Sequence, residues 1–132
     1  IIAQKTTGIA PLETARELRM RLISIGAALL ADTLPEYAGG RIQPVPQDAS
    51  RVTRTRKLKK ENGLISLDAP AEENWNKYRA YADTIGTYFF ENGKRIKITA
   101  ATLRNGEFII EHVIPEGKRE MLYMGSQQAG KR

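Results

Sequence analysis

Apolar positions change their period along this chain, and the changes mark its parts. Leu18, Leu22, Ile25 and Leu29 recur at helical spacing, Leu34 lies beyond them, and Arg16, Arg19 and Arg21 flank the stripe. Ahead of it, Thr14-Ala15-Arg16-Glu17 has the form of a capping box, in which each side chain satisfies the other's free backbone N–H. The pattern predicts a helix from about residue 14 to 34, disturbed at Pro35 and ended by Gly39-Gly40. Ile1 to Lys5 reads as the end of a strand, followed by a polar turn through Thr6, Thr7 and Gly8. The stripe is read as covering the sheet that this strand belongs to, in preference to a docking helix.

Gln43-Pro44-Val45-Pro46-Gln47-Asp48 is an extended connector, because each proline pushes its predecessor out of the helical region. It is the candidate boundary between two units. The next ten residues are expected to be extended too, since Val52, Thr53 and Thr55 resist helix. Glu61-Asn62-Gly63 is a turn and Leu64-Ile65-Ser66-Leu67 a short apolar segment. A second helix begins around Asp68-Ala69-Pro70, with Glu72 and Glu73 favourable at its positive end, and runs to about Ala82. Trp75 and Tyr78 could stack nucleobases, but their spacing is commoner for core contacts.

From Thr87 the period becomes two. Tyr88-Phe89-Phe90 leads into Asn92-Gly93, a strong hairpin signal, and Arg95-Ile96-Lys97-Ile98-Thr99 is the return strand. Asn105-Gly106 makes a second hairpin into Phe108–Ile114, and Pro115-Glu116-Gly117-Lys118 turns the chain again. Three antiparallel strands are thus expected, with Lys94, Arg95 and Lys97 among the exposed positions. Residues after Tyr123 are expected to be frayed. The fold class is α+β.

Charge sharpens this picture. Of 21 Lys and Arg residues against 15 Asp and Glu, six cations and no acid fall in Arg51–Lys60, so the net charge of +6 is carried by that one segment. A focused positive field attracts a polyanion. Nucleic acid is favoured over a membrane, because the run lacks the bulky apolar face of an interfacial helix. A solvated loop without a partner is the plainer alternative. No apolar stretch approaches the roughly 20 residues of a membrane span and no secretory leader is visible, so a cytoplasmic protein is expected. The chain opens at Ile1 without an initiator Met, which reads as a fragment.

Catalytic chemistry is scarce. There is no Cys, and the one His, His112, alternates with apolar neighbours on a strand and is read as a structural residue. Gly39-Gly40 lacks the Lys-Ser or Lys-Thr of a phosphate loop, and Glu72, Glu73 and Glu116 form no carboxylate pair by spacing. No catalytic or metal-binding residue is assigned, and the residues alone describe a basic binding module.

The order of features nevertheless resembles a known family. Glu13-Thr14-Ala15-Arg16-Glu17-Leu18, Gly26-Ala27, Leu29-Leu30 and Thr33-Leu34 are followed by Gly40-Arg41-Ile42 and Pro46-Gln47-Asp48. Then come Lys57-Leu58-Lys59-Lys60-Glu61-Asn62-Gly63-Leu64-Ile65, Ala69-Pro70-Ala71-Glu72-Glu73, Arg79-Ala80, Gly93-Lys94-Arg95-Ile96-Lys97-Ile98 and Pro115-Glu116-Gly117-Lys118-Arg119-Glu120-Met121. Together, over residues 1 to 123, these resemble the C-terminal part of methionyl-tRNA formyltransferases. Three departures stand out. Asp83-Thr84-Ile85-Gly86 replaces the family's Pro-Trp-Pro-Gly, the barrel strands are fewer, and Leu122-Tyr123-Met124-Gly125-Ser126 replaces a short final helix.

The resemblance implies formyl transfer from 10-formyltetrahydrofolate, the parent enzyme's co-substrate, to the methionine amino group on initiator tRNA. It implies that residues 1–40 are the last strand and helix of a Rossmann-like catalytic domain and that 41–60 are a basic linker. Residues 61–123 would be a small open β-barrel-like, shortened OB-type tRNA-binding domain with one helix, and 124–132 a disordered tail. The family's catalytic Asn, His and Asp have no counterpart here, so the chain alone should be inactive and bind no cofactor. The RNA track is expected on Arg51, Arg54, Arg56, Lys57, Lys59 and Lys60, with Lys94, Arg95, Lys97, Lys118 and Arg119 as a second tier. Expected partners are initiator tRNA, the missing catalytic domain and a second copy through the first helix. The alternatives are the tail of a sugar-nucleotide formyltransferase, which needs no basic track, and a stand-alone RNA-binding module.

Overall fold

The computed structural model describes residues 1–125, and the chain divides into two compact units, Ile1–Lys57 and Leu58–Arg132. The tail expected from Met124 onward lies outside the described residues from position 126.

In the first unit the capping box closes as its sequence requires. Thr14 Oγ1 accepts from the Glu17 N–H at 3.3 Å, and Glu17 Oε2 accepts from the Thr14 N–H at 2.8 Å. Helix α1 follows over Ala15–Ala38. It continues through Pro35, where the sequence predicted a disturbance. Proline's missing N–H forfeits one helical bond, but the ladder resumes beyond it. The Gly39 N–H still bonds to the Pro35 carbonyl at 2.9 Å, and Gly40, at φ +72°, makes the left-handed turn out of the helix. Arg41 then folds back onto Glu36 through contacts of 2.6 and 2.8 Å.

Ile1 to Lys5 is not a strand. Its pairing is limited to one residue pair, with the Ile1 amino group donating to the Val45 carbonyl at 2.7 Å and the Val45 N–H returning to the Ile1 carbonyl at 2.9 Å. A strand needs a ladder of such pairs, and the connector prolines Pro44 and Pro46 on either side have no N–H to extend one. The segment before α1 is fastened instead by Arg21, which grips Glu13 at 2.6 and 2.8 Å and donates to the Gly8 carbonyl at 2.7 Å. Along α1, Leu18, Ile25 and Leu29 are half-buried while Leu22 and Leu34 are exposed.

The second unit is built on an antiparallel sheet of four strands in the order β1 (Thr87–Glu91), β2 (Lys94–Arg104), β3 (Glu107–Pro115) and β4 (Met121–Leu122). Asn92-Gly93 and Asn105-Gly106 make its first two turns. All four residues have positive φ, as the two-residue turn that matches strand twist demands. The fourth strand was not expected, because two residues are too short to show a period. Met121 and Leu122 pair with Val113 and His112, and Tyr123 behind them donates to the Glu111 carbonyl at 3.0 Å.

Helix α2 (Ala71–Tyr81) lies across one face. Trp75 and Tyr78 take the core role, packing with Ile65, Phe89, Ile96, Ile98, Ile110 and Val113. The β2–β3 register slips around Thr99 and Ala100, and the Tyr78 hydroxyl reaches the Thr99 carbonyl there at 3.4 Å. Asn74, also buried, ties α2 to the preceding loop by donating to the Ser66 carbonyl at 2.8 Å. Leu64–Leu67 forms only a bridge, Leu64 beside Tyr88, with the Ile65 N–H on the Tyr88 carbonyl at 2.8 Å.

Candidate nucleic-acid interface

The six cations of the basic run divide between the units. Arg51, Arg54, Arg56 and Lys57 end the first, and Lys59 and Lys60 open the second. All six are exposed, and none forms an ion pair among the described residues. A short 3-10 turn, Ala49–Arg51, begins the run, with the Asp48 carboxylate accepting from the Ser50 N–H at 2.9 Å. The Ser50 hydroxyl and N–H hold that carboxyl below the usual range, so the one acid at the start of the run is already engaged. Val52 to Lys59 then follows without helix or strand, as the β-branched residues predicted. A second 3-10 turn, Lys60–Gly63, begins where Asn62 Oδ1 accepts from the Lys59 N–H at 2.8 Å.

The second-tier cations fall in three places. Strand pairing sets Tyr88 opposite Lys97 and Phe90 opposite Arg95, and directly opposed residues share a face. Phe89 and Ile96, the pair between them, point into the core. Arg95 and Lys97 therefore stand on the sheet face away from α2. Lys94 is exposed as expected but belongs, with its partner Glu91, to the opposite side. Lys118 and Arg119 are exposed in the turn between β3 and β4.

Two aromatic residues on the outer face belong with these cations, and sequence reasoning missed them. Phe90 is 56% exposed, and its ring meets that of Tyr88 edge to face at 5.7 Å. The Arg95 guanidinium lies 4.0 Å from the centre of the Tyr88 ring, a cation–π contact that fixes the arginine over the strand. The signal was available, since the Asn92-Gly93 hairpin alone sets Tyr88 and Phe90 on the face of Lys97 and Arg95. Trp75 and Tyr78, the stacking candidates offered by spacing along the helix, are buried instead.

Other chemistry is thin. His112 is half-buried on β3, opposite Ala100 and Leu122. No cluster of three or more His, Cys, Asp or Glu residues that could hold a metal occurs among the described residues, and no helix among them is long and apolar enough to cross a membrane. Tyr123 is the most perturbed group. Burial, and then its 3.1 Å hydrogen bond to the Glu91 carboxylate, push the phenol up to about 12. That bond lies on the α2 side of the sheet and serves the fold.

Comparison with known proteins adds a second line of information. Residues 57–123 match the family model described as formyl transferase, C-terminal domain. A methionyl-tRNA formyltransferase of Chloroflexus aurantiacus is 40% identical over 107 residues, covering 81% of this chain and 34% of that protein. One from Koribacter versatilis is 36% identical over 116 residues, or 84% of this chain and 37% of its own length. One from Streptococcus thermophilus is 30% identical over 129 residues, covering 98% of this chain and 42% of that protein. The chain thus spans about a third of the length of the first curated relatives it matches.

Proposed function

The chain belongs to the family of formyl transferase C-terminal domains, and from that membership we propose that it is the RNA-binding part of a methionyl-tRNA formyltransferase. The observation that carries this reading is the uncompensated basic run. Arg51, Arg54, Arg56, Lys57, Lys59 and Lys60 are exposed and unpaired among the described residues, and the run overlaps the start of the family match. Cations so placed bind phosphates by releasing condensed counterions, so affinity falls steeply with salt. They position a nucleic acid without reading its bases.

In this reading the parent enzyme moves a formyl group from 10-formyltetrahydrofolate to the amino group of initiator methionyl-tRNA. Folate and formyl transfer belong to the rest of the parent protein, in the cytoplasm, while this chain holds the tRNA backbone. Residues 1–40 are read as the end of a Rossmann-like catalytic domain, 41–60 as the linker and 61–123 as a shortened OB-type tRNA-binding domain. The four-stranded meander with a helix across one face supports an open variant of that architecture.

The test is a titration of labelled initiator tRNA at two salt concentrations, beside a variant with all six cations of 51–60 changed to Ala. Binding that weakens with salt and is lost in the variant is expected, and each single Ala change should flatten the salt slope by about one. No binding at low salt would overturn the reading and turn attention to a sugar-nucleotide substrate.

A further inference from the structure

We propose that Phe90, held by Tyr88 and flanked by Arg95 and Lys97, is a seat for one unpaired nucleotide of a bound RNA, its ring stacking on the base while the two cations take the adjoining phosphates. The inference rests on the reading above that the partner is RNA. It adds a contact to the bases, which the basic run does not supply.

The argument starts from where the phenyl ring sits. Alternation along β1 sends Phe89 into the core, 1% exposed, and leaves its neighbour Phe90 56% exposed on the outer face. A large exposed aromatic gains nothing from water there, yet it is not loosely placed. Strand β1 fixes its backbone, and the Tyr88 ring meets it at 5.7 Å and 87°. Tyr88 is buried, and Arg95 covers its ring at 4.0 Å, so the support under Phe90 is itself held. Stacking on such a ring is tolerant of base identity, because every base has a π-face.

Charge on this face selects the occupant. Arg95 is directly across from Phe90, and Lys97 is across from Tyr88. Both are exposed, and neither is ion-paired among the described residues. Glu91, the acid adjacent to Phe90, points to the other side and accepts from Tyr123 at 3.1 Å. Glu116, whose N–H bonds to the Arg95 carbonyl at 3.2 Å, is exposed and forms no ion pair with Arg95 among the described residues. An aromatic ring beside two exposed cations that have no ion-pair partner among the described residues suits a base with its phosphates. It does not suit an apolar helix, which would leave both cations desolvated.

The test compares two RNAs of equal length on the intact chain, a single strand and a blunt duplex. Phe90→Ala should weaken single-strand binding about 5- to 100-fold with an unchanged salt slope, since a phenyl ring releases no counterions. Phe90→Trp should restore binding, and Phe90→Leu should not, because leucine keeps the apolar bulk and loses the π-face. Duplex affinity should be the same in all four proteins. Wild-type affinity of Phe90→Ala or Phe90→Leu for the single strand, or an equal loss on the duplex, would overturn the seat while leaving the tRNA-backbone reading in place. Failure of the wild-type chain to bind either RNA would overturn both. Unchanged thermal melting of Phe90→Ala would show that the loss is one of contact.

Discussion

Gly63 and Gly86 meet backbone to backbone, so closely that a methyl group on Gly63 would stand inside the van der Waals envelope of the Gly86 carbonyl oxygen. This contact seats the turn carrying Lys60 against the start of β1, and the next two residues make the bridge and hydrogen bond to Tyr88. Gly63→Ala should therefore force the turn off the strand. The expected cost is about 1–3 kcal/mol, as for other overpacked sites, read as a lower midpoint in urea with little change in slope. An unchanged midpoint would mean that the turn can move without loss, and Lys59 and Lys60 would then have no fixed place on the second unit.

Phe89 and Phe90 are neighbours in sequence and opposites in energetics. Phe89 packs within the core and meets Tyr123 edge to face at 5.3 Å, so Phe89→Ala should cost about 3–5 kcal/mol. Phe90→Ala on the outer face should stay within about 0.5 kcal/mol. Paired melting curves decide the matter, and equal losses would mean that the alternation along β1 is wrong.

Much of this was legible before the structure. The capping box at Thr14 and Glu17, the two Asn-Gly hairpins and the core role of Trp75 and Tyr78 each follow from local chemistry within a few residues. What sequence could not supply depends on distant partners. Ile1 to Lys5 has the composition of a strand, but only the Val45 contact decides that no ladder forms. Met121 and Leu122 become a strand because β3 offers an edge, and Gly63 is required because of Gly86, which a scan for turn residues does not weigh. The basic run was visible as charge. The Tyr88, Phe90, Arg95 and Lys97 block needed the strand register to appear.

Tyr123 gives the second unit a pH dependence at the alkaline end. Its phenol ionises near 12 in the fold, against about 10 in an unfolded chain, because burial and the Glu91 carboxylate both disfavour the phenolate. The folded state thus holds this proton more tightly. The stability that the proton supports is complete below pH 10 and is lost as the pH rises from 10 towards 12. Tyr123→Phe should remove that dependence, so its melting temperature and that of the wild-type chain should converge across the window. Parallel curves would show that the phenol is neither buried nor bonded to Glu91 in solution as it is here.

Helix α1 supplies the last prediction. Leu22 is 45% exposed, Leu30 57% and Leu34 52%, with Ile23 and Met20 also open to water on a helix of 24 residues. Isolated exposed leucines are ordinary, but several on one helix make a patch large enough to bring copies together. Arg16, Arg19 and Arg21 lie in the first turns, and the C-terminal half carries only Asp32 and Glu36, the latter already paired with Arg41. The mass seen by light scattering should therefore rise with concentration, and Leu22→Glu with Leu34→Glu should return it to the monomer without loss of helix. High salt separates this association from electrostatic clustering, because it strengthens apolar contacts and screens charge. A monomeric mass at every concentration would refute the pairing and leave α1 stable with its leucines in water.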